Sequence, residues 1–239
     1  PNPEEPGATD LLLALAAECE ADVAIALDPD ADRCAVGILD GGSWWMLTGN
    51  ETGWLLGDFI LSRLDPDVAR ASVVASSVVS STLLADIAAD YGARHVETLT
   101  GFKWLARADA GLPGHALAYA YEEAIGHCVD PAAVRDKDGI SAAVLICDLV
   151  ATLEQQGSSV PEALDRLARR HGLHVTAAAT IALDDADAAA VMARLRANAP
   201  AVMGGVAVTV TDLDRQPEPH RTDALLFTGT GLRVAVRPS

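Results

Sequence analysis

The sequence predicts an α/β protein followed by a smaller α+β segment. Three observations predict it. Between residues 22 and 171, short apolar runs of strand length alternate with stretches of helical period. Beyond residue 171 one helical stretch is followed by three strand-like runs. The chain is 50% hydrophobic and 21% charged over 239 residues, which suits a soluble globular protein with more than one domain.

The elements follow in order. Residues 8–19 place Leu11, Leu12, Leu15 and Cys19 at the spacing of one helix face. "DVAIAL" reads as a strand ending at Asp28, "CAVGIL" as a second, "GG" as a turn and "SWWML" as a third. "NETGWLLGDFILSRL" is a helix with Asn50 as its expected cap. "DPD" at 65–67 is a turn and "ASVVAS" a buried strand. "STLLADIAADYG" is a helix capped near Ser80 or Ser81 and closed by Gly92. "RHVETL" is a strand, "TGFKWLARA" a loop opening a short helix, "HALAYAY" a strand and "EEAIG" a loop. Ile140, Ala143, Val144, Cys147 and Val150 mark the next helix, and "PEALDRLARRHG" another. In the last segment "DDADAAAVMARLRANAP" is helical, while "VAVTVTDL", "DALLFT" and "LRVAVRP" are strands. Boundaries are expected near residues 42–48 and 171–176, with no internal repeat and no low-complexity linker.

The net charge of −17 makes nucleic acid and anionic membrane poor partners, though a local basic pocket for a phosphorylated small molecule is allowed. No apolar run reaches the length of a transmembrane helix, and no signal peptide follows Pro1. Cys19, Cys34, Cys128 and Cys147 form no C-x-x-C. Buried reduced thiols and a cytoplasmic location are expected. Both ends read as cut, so a fragment is expected. Of 17 basic residues only Lys103 and Lys137 are lysines.

Four stretches can carry chemistry. "LDPDADRCAV" sets Asp28, Asp30 and Asp32 at alternate positions on a strand-to-strand loop. Three hard oxygen donors so placed suit Mg²⁺ or Ca²⁺. An EF-hand is excluded, because its sixth position holds Arg33 and its twelfth Leu39. Arg33 beside a metal would make a phosphate clamp. In "TLTGFKWL", Gly101 allows close backbone approach and Lys103 opens a helix, where N–H groups favour an anion. In "YEEAIGH", Glu122 and Glu123 can accept from sugar hydroxyls. In "RDKDGI", Arg135 and Lys137 precede a helix start and read as an anion site, or as partners of Asp136 and Asp138. Trp44, Trp45, Trp54 and Trp104 read as core or domain-contact residues, and "TGTGLRV" lacks the third glycine of a dinucleotide loop.

Together and in this order, "DPDADR", "TGFK", "YEEAIG", "RDKDGI" and the closing "RPS" resemble the α-D-phosphohexomutases, the phosphoglucomutase/phosphomannomutase superfamily. The wording is most similar to the phosphoglucomutase-2-like and phosphopentomutase branch. The resemblance runs from "PNPEEPG" to "RPS". It implies mixed-sheet α/β domains, namely the end of domain 2 over residues 1–45 and all of domain 3 over 46–172. An incomplete α+β domain 4 would occupy 173–239. It implies that Asp28, Asp30 and Asp32 hold Mg²⁺, that Arg33 and Lys137 serve catalysis, and that Gly101, Phe102, Lys103, Glu122, Glu123, Arg135, Lys137, Arg237 and Ser239 bind substrate. The partners implied are a sugar phosphate and a sugar bisphosphate. The family's phosphoserine lies in an S-H-N loop of its first domain, and no S-H-N occurs here, so the chain alone is expected to be inactive. Ala124 stands where other branches carry serine, which leaves the sugar identity open. The alternative is a non-catalytic Mg²⁺ and sugar-phosphate binding module. A metal-dependent phosphatase has no supporting element beyond the aspartate loop.

Overall fold

The computed structural model describes residues 2–218 and 220–238. The chain divides into two compact units, Pro1–Thr176 and Ala177–Ser239.

The first unit starts with α1 (Asp10–Glu18) and an antiparallel meander of β1 (Ala24–Leu27), β2 (Cys34–Asp40) and β3 (Ser43–Met46). Gly41 and Gly42 turn the β2–β3 hairpin with φ of +56° and +83°, angles an L side chain resists. Strand parity separates two faces of this sheet. Cys34, Val36 and Ile38 join the main core, while Gly37 on the other face lies under Leu13 of α1. The expected face of α1 is therefore corrected. Leu11, Leu15 and Cys19 are exposed, and Ala16 is buried. With leucines at 11, 12, 13 and 15, the apolar spacing admits more than one face, and the fit over Gly37 selects Leu13.

Next come α2 (Gly49–Ser62), α3 (Pro66–Arg70), β4 (Ser72–Ser77), α4 (Leu83–Asp90), β5 (Arg94–Thr98), α5 (Phe102–Leu105), β6 (Ala116–Glu122) and β7 (Gly126–Cys128). Their sheet has the order β5-β4-β6-β7, with β4 parallel to β5 and β6, and β7 antiparallel to β6. It is a mixed sheet, and β4 is buried along its whole length, as a central strand covered on both faces must be. Two long helices, α6 (Gly139–Gln155) and α7 (Val160–His171), complete the unit. Leu56, Leu84, Ile87, Tyr119 and Ile146 are nearly inaccessible at the centre of the main core. Each such side chain contributes on the order of 1.5–3 kcal/mol.

Several sequence expectations change here. Thr48, not Asn50, caps α2. Its hydroxyl accepts from the Glu51 N–H at 3.2 Å, and the Glu51 carboxylate accepts from the Thr48 N–H at 2.8 Å. Asn50 lies inside the helix and serves tertiary contacts. Asp65 caps the short α3 instead of forming only a turn. The "EEAIG" loop runs straight into β7, which sequence reading missed. On α6 the buried face is Ala142, Ile146, Leu149, Val150 and Leu153, whereas Ile140 and Val144 are exposed. Cys34 and Cys128 are buried, but Cys19 and Cys147 are exposed, and all four are free thiols.

The second unit packs α8 (Asp185–Ala197) on an antiparallel sheet of order β11-β10-β9-β8. Its strands are β8 (Val202–Met203), β9 (Val206–Asp212), β10 (Leu225–Gly229) and β11 (Leu232–Val236). Met192, Leu225 and Phe227 form its core. Arg196 of α8 pairs with Asp212 and Asp223. No described helix is long and apolar enough to cross a membrane.

Candidate active site

The Asp28–Arg33 loop joins β1 to β2, whose pairing ends at Leu27 and Cys34. It folds back because the Ala31 N–H donates to the Asp28 carbonyl at 3.0 Å, with Ala31 at a φ of +58°. A left-handed alanine is strained, which is common in loops that aim functional groups. One carboxylate oxygen from each of Asp28, Asp30 and Asp32 then lies within 4.8 Å of the others. Asp28 is buried, Asp32 half-buried and Asp30 exposed.

Two cations offset part of this loop's charge. The Arg33 backbone N–H donates to Asp28 Oδ1 at 3.1 Å, and its Nε–H to Oδ2 at 2.7 Å. Burial alone would push the Asp28 carboxyl up, but Arg33's hydrogen bonds and charge outweigh it and hold the pKa down to about 2. Lys137 Nζ stands 2.9 Å from Asp32 Oδ2. Asp32 Oδ1 is buried with no hydrogen-bond partner among the described residues. A buried carboxylate oxygen left in that state fits a divalent cation shared with Asp28 and Asp30. The triad is thus able to hold a metal ion.

Two neighbouring segments fix the loop from behind, the β6–β7 turn and the start of α6. The Cys34 N–H donates to the Ile125 carbonyl at 3.0 Å, and Arg33 forms an antiparallel bridge with Gly126. The Gly139 N–H donates to the Ala31 carbonyl at 3.0 Å. A Cβ at Gly139 would lie 2.6 Å from the Arg33 carbonyl oxygen and 2.7 Å from that of Ala31, so only glycine permits this approach. Asp138 caps α6 by accepting from the Ile140 and Ser141 N–H groups, and its own N–H donates to the His127 carbonyl. The short strand β7 therefore presents "RDKDGI" to the aspartate loop.

The sugar-recognition candidates meet around the β6–β7 turn. The Gly101 N–H donates to Glu122 Oε1 at 2.6 Å, and Gly101 holds a φ of +105°. Phe102 and the Lys137 stem both lie against Gly126. Lys103 is exposed with Nζ 5.2 Å from the Trp104 ring centroid, a cation–π contact. Glu123 is held by Ser77 and Ser80. The structure thus brings together Asp28, Asp30, Asp32, Arg33 and Lys137, and links Gly101 to Glu122.

Other candidates fall elsewhere. Arg135 does not join Lys137. Its guanidinium makes a two-pronged contact with Asp109 at 3.0 and 2.6 Å and donates to the Ala106 carbonyl. Neither Asp136 nor Asp138 is its partner in that contact, and Asp109 lies 26 residues away in sequence. Arg237 follows β11 in the second unit and is exposed. Ser239 lies outside the described residues. Sequence reading missed Asn2 and Glu4, which both face Arg33, with Glu4 Oε2 3.7 Å from its Nη1. It also missed Gly139, for which a glycine directly after a capping aspartate was the available signal.

Comparison with known proteins supplies the context. Residues 48–174 match the family model "Phosphoglucomutase/phosphomannomutase, alpha/beta/alpha domain III", and residues 1–41 match its domain II. A probable phosphomannomutase of Haemophilus influenzae is 39% identical over 242 residues, covering 100% of this chain and 48% of its own length. Mouse phosphopentomutase is 40% identical over 187 residues, covering 74% of this chain and 30% of its own. This chain therefore spans half or less of these relatives. The Paramecium exocytosis-sensitive phosphoprotein parafusin, a phosphoglucomutase in its open form, superposes with a TM-score of 0.65 at 21% identity. That match covers 99% of this chain and 42% of parafusin, and it supports the fold.

Proposed function

The chain belongs to the phosphoglucomutase/phosphomannomutase family, and we propose that it is the metal-loop and sugar-recognition part of a Mg²⁺-dependent phosphosugar mutase. The whole enzyme would interconvert a hexose 1-phosphate and 6-phosphate through a phosphoserine and a sugar bisphosphate. The observation that carries this reading is the convergence of three aspartate oxygens within 4.8 Å, with Arg33 and Lys137 on the same carboxylates.

Asp28, Asp30 and Asp32 would hold Mg²⁺, which when bound supplies charge neutralisation at the transferring phosphoryl group. Arg33, locked by Asp28 and with Asn2 and Glu4 at Nη1, keeps a fixed orientation, so its Nη2 group would meet phosphoryl oxygens without reordering. Lys137 sits between the aspartate loop and the β6–β7 turn and would bind phosphate from there. Glu122, at the same turn, would accept from sugar hydroxyls, with Gly101 and Phe102 lining the approach. Lys103, Arg135, Arg237 and Ser239 are the remaining proposed substrate contacts. Of these, Arg135 would have to leave Asp109 to act. The free thiols support a reducing compartment, and we place the protein in the cytoplasm.

No S-H-N occurs in the 239 residues, so we assign the phosphoryl carrier to sequence outside them. A calorimetric Mg²⁺ titration with wild type and Asp30→Asn tests the metal assignment. Asp30 is exposed and supports no core, so the variant should fold and bind Mg²⁺ at least about tenfold more weakly. Equal binding would remove the assignment. Purified 1–239 should also leave glucose 1-phosphate unchanged, and turnover by it would sink the proposed division of labour.

A further inference from the structure

Glu122 and Glu123 are adjacent, yet they have different partners. Glu122 Oε1 takes the Gly101 N–H. Glu123 Oε2 accepts from Ser77 Oγ at 2.8 Å and from Ser80 Oγ at 2.9 Å, and the Glu123 N–H donates back to Ser80 Oγ at 3.1 Å. The two hydroxyl oxygens are themselves 2.7 Å apart, and both serines are buried. The Glu123 carbonyl backs onto Gly49, where a Cβ would lie 1.9 Å from it.

The residue before Glu122 is anchored to the same segment. Asn50 Oδ1 accepts from the Tyr121 hydroxyl at 3.1 Å and from the Ser81 N–H at 2.8 Å. Along an extended strand alternate side chains point to opposite sides. Tyr121 and Glu122 are consecutive on β6 and point to opposite sides, Glu122 to Gly101, while Glu123, in the turn beyond the strand, returns to the Tyr121 side through Ser77 and Ser80. Every anchor comes from the end of β4 and the turn after it, or reaches that turn through Asn50.

We propose that Ser77, Ser80 and Glu123 are positioning residues: they set the turn from which Glu122 addresses the sugar, and Glu123 itself is not a sugar ligand. This rests on the reading of Glu122 as a sugar contact. Its own geometry can nevertheless be tested without ligand, because the Gly101 amide reports where Glu122 sits. A 2.6 Å bond to a carboxylate shifts an amide proton downfield and slows its exchange.

The experiment is an amide-resolved NMR comparison of 1–239 with Ser80→Ala and Ser77→Ala. In Ser80→Ala the Gly101 proton should move upfield and exchange at least about tenfold faster, with the Cys34 and Gly139 amides of the aspartate loop unchanged. Should Ser80→Ala not fold, Ser77→Ala, which removes one hydroxyl from Oε2, carries the same expectation. Glu123→Gln keeps an accepting oxygen and should leave the Gly101 signal in place. An unmoved Gly101 amide in a folded serine variant overturns the proposal, as does equal loss at Cys34 and Gly139, which would signal general loosening. A titration of wild type with glucose 1,6-bisphosphate separates the two readings. If wild type is silent while the Gly101 amide responds to Ser80→Ala, the sugar reading falls and the anchoring stands. If wild type responds while the Gly101 amide ignores the serines, the anchoring falls alone.

Discussion

Lys137 Nζ lies 2.9 Å from Asp32 Oδ2, so the third carboxylate of the aspartate loop is shared with a cation that approaches from the start of α6. The same lysine stem lies against Gly126, the residue that bridges to Arg33. One side chain thus touches both the metal loop and the turn that carries Glu122. Its charge has opposite consequences for a cation and for an anion.

Lys137→Met keeps the stem and removes the charge. The ammonium competes with a metal for Asp32 and repels it, at partial exposure and short range. Such a contact is worth on the order of 1 kcal/mol. Mg²⁺ affinity should therefore rise several-fold. Affinity for a sugar phosphate should fall at least about tenfold, since a charged donor to phosphate is lost. Calorimetry on the one variant with both ligands checks both signs, and a parallel change in the two affinities would contradict the shared-carboxylate arrangement.

Gly139→Ala tests the support behind the loop. The new Cβ would meet the Arg33 and Ala31 carbonyl oxygens at 2.6 and 2.7 Å, and backbone atoms cannot swing aside as a flexible side chain can. The expected cost is about 1–3 kcal/mol of stability from overpacking. Mg²⁺ affinity should also fall, because the displaced segment carries Asp32. Chemical denaturation and metal titration of the same sample measure the two effects. Unchanged stability would mean that the approach of α6 to the loop is looser than the geometry states.

Legibility in the sequence is uneven, and the reasons are physical. The aspartate loop is readable because its chemistry is local: three carboxylates at alternate positions between two apolar strands repel one another unless a cation sits among them. Helix existence is legible from period, but helix faces are not. On α6, Ile140, Val144, Leu145 and Ile146 are large and apolar and Ala142 and Ala143 are small, so the period fits more than one stripe. Packing on the β1–β2 sheet selects Ala142 and Ile146. Partners far apart in sequence are invisible. Nothing near Arg135 announces Asp109, and Ser80 lies 43 residues from Glu123. Thr48 illustrates the competition at a helix start. Asn50 is a good capping residue by type, but the Thr48–Glu51 capping box fits two positions earlier and frees Asn50 to hold Ser81 and Tyr121.

His127 gives the pH dependence of the scaffold. It is fully buried on β7, its Nδ1 lies 3.0 Å from the Tyr119 hydroxyl, and its Nε2 has no partner among the described residues. Burial penalises the imidazolium and pushes the pKa down from 6.5 to about 3. The unfolded chain therefore takes up a proton below pH 6.5 while the folded chain does not. Stability is full above that value and falls as pH drops toward 3, at about 1.4 kcal/mol per pH unit. Asp28, held at about 2, adds an acid loss only below about pH 4, so the two groups separate. Between pH 7 and pH 5 denaturant unfolding should show about 2 kcal/mol of loss assignable to His127. His127→Asn should lack that part of the slope whatever its absolute stability. An identical slope in the variant would place the titrating group elsewhere.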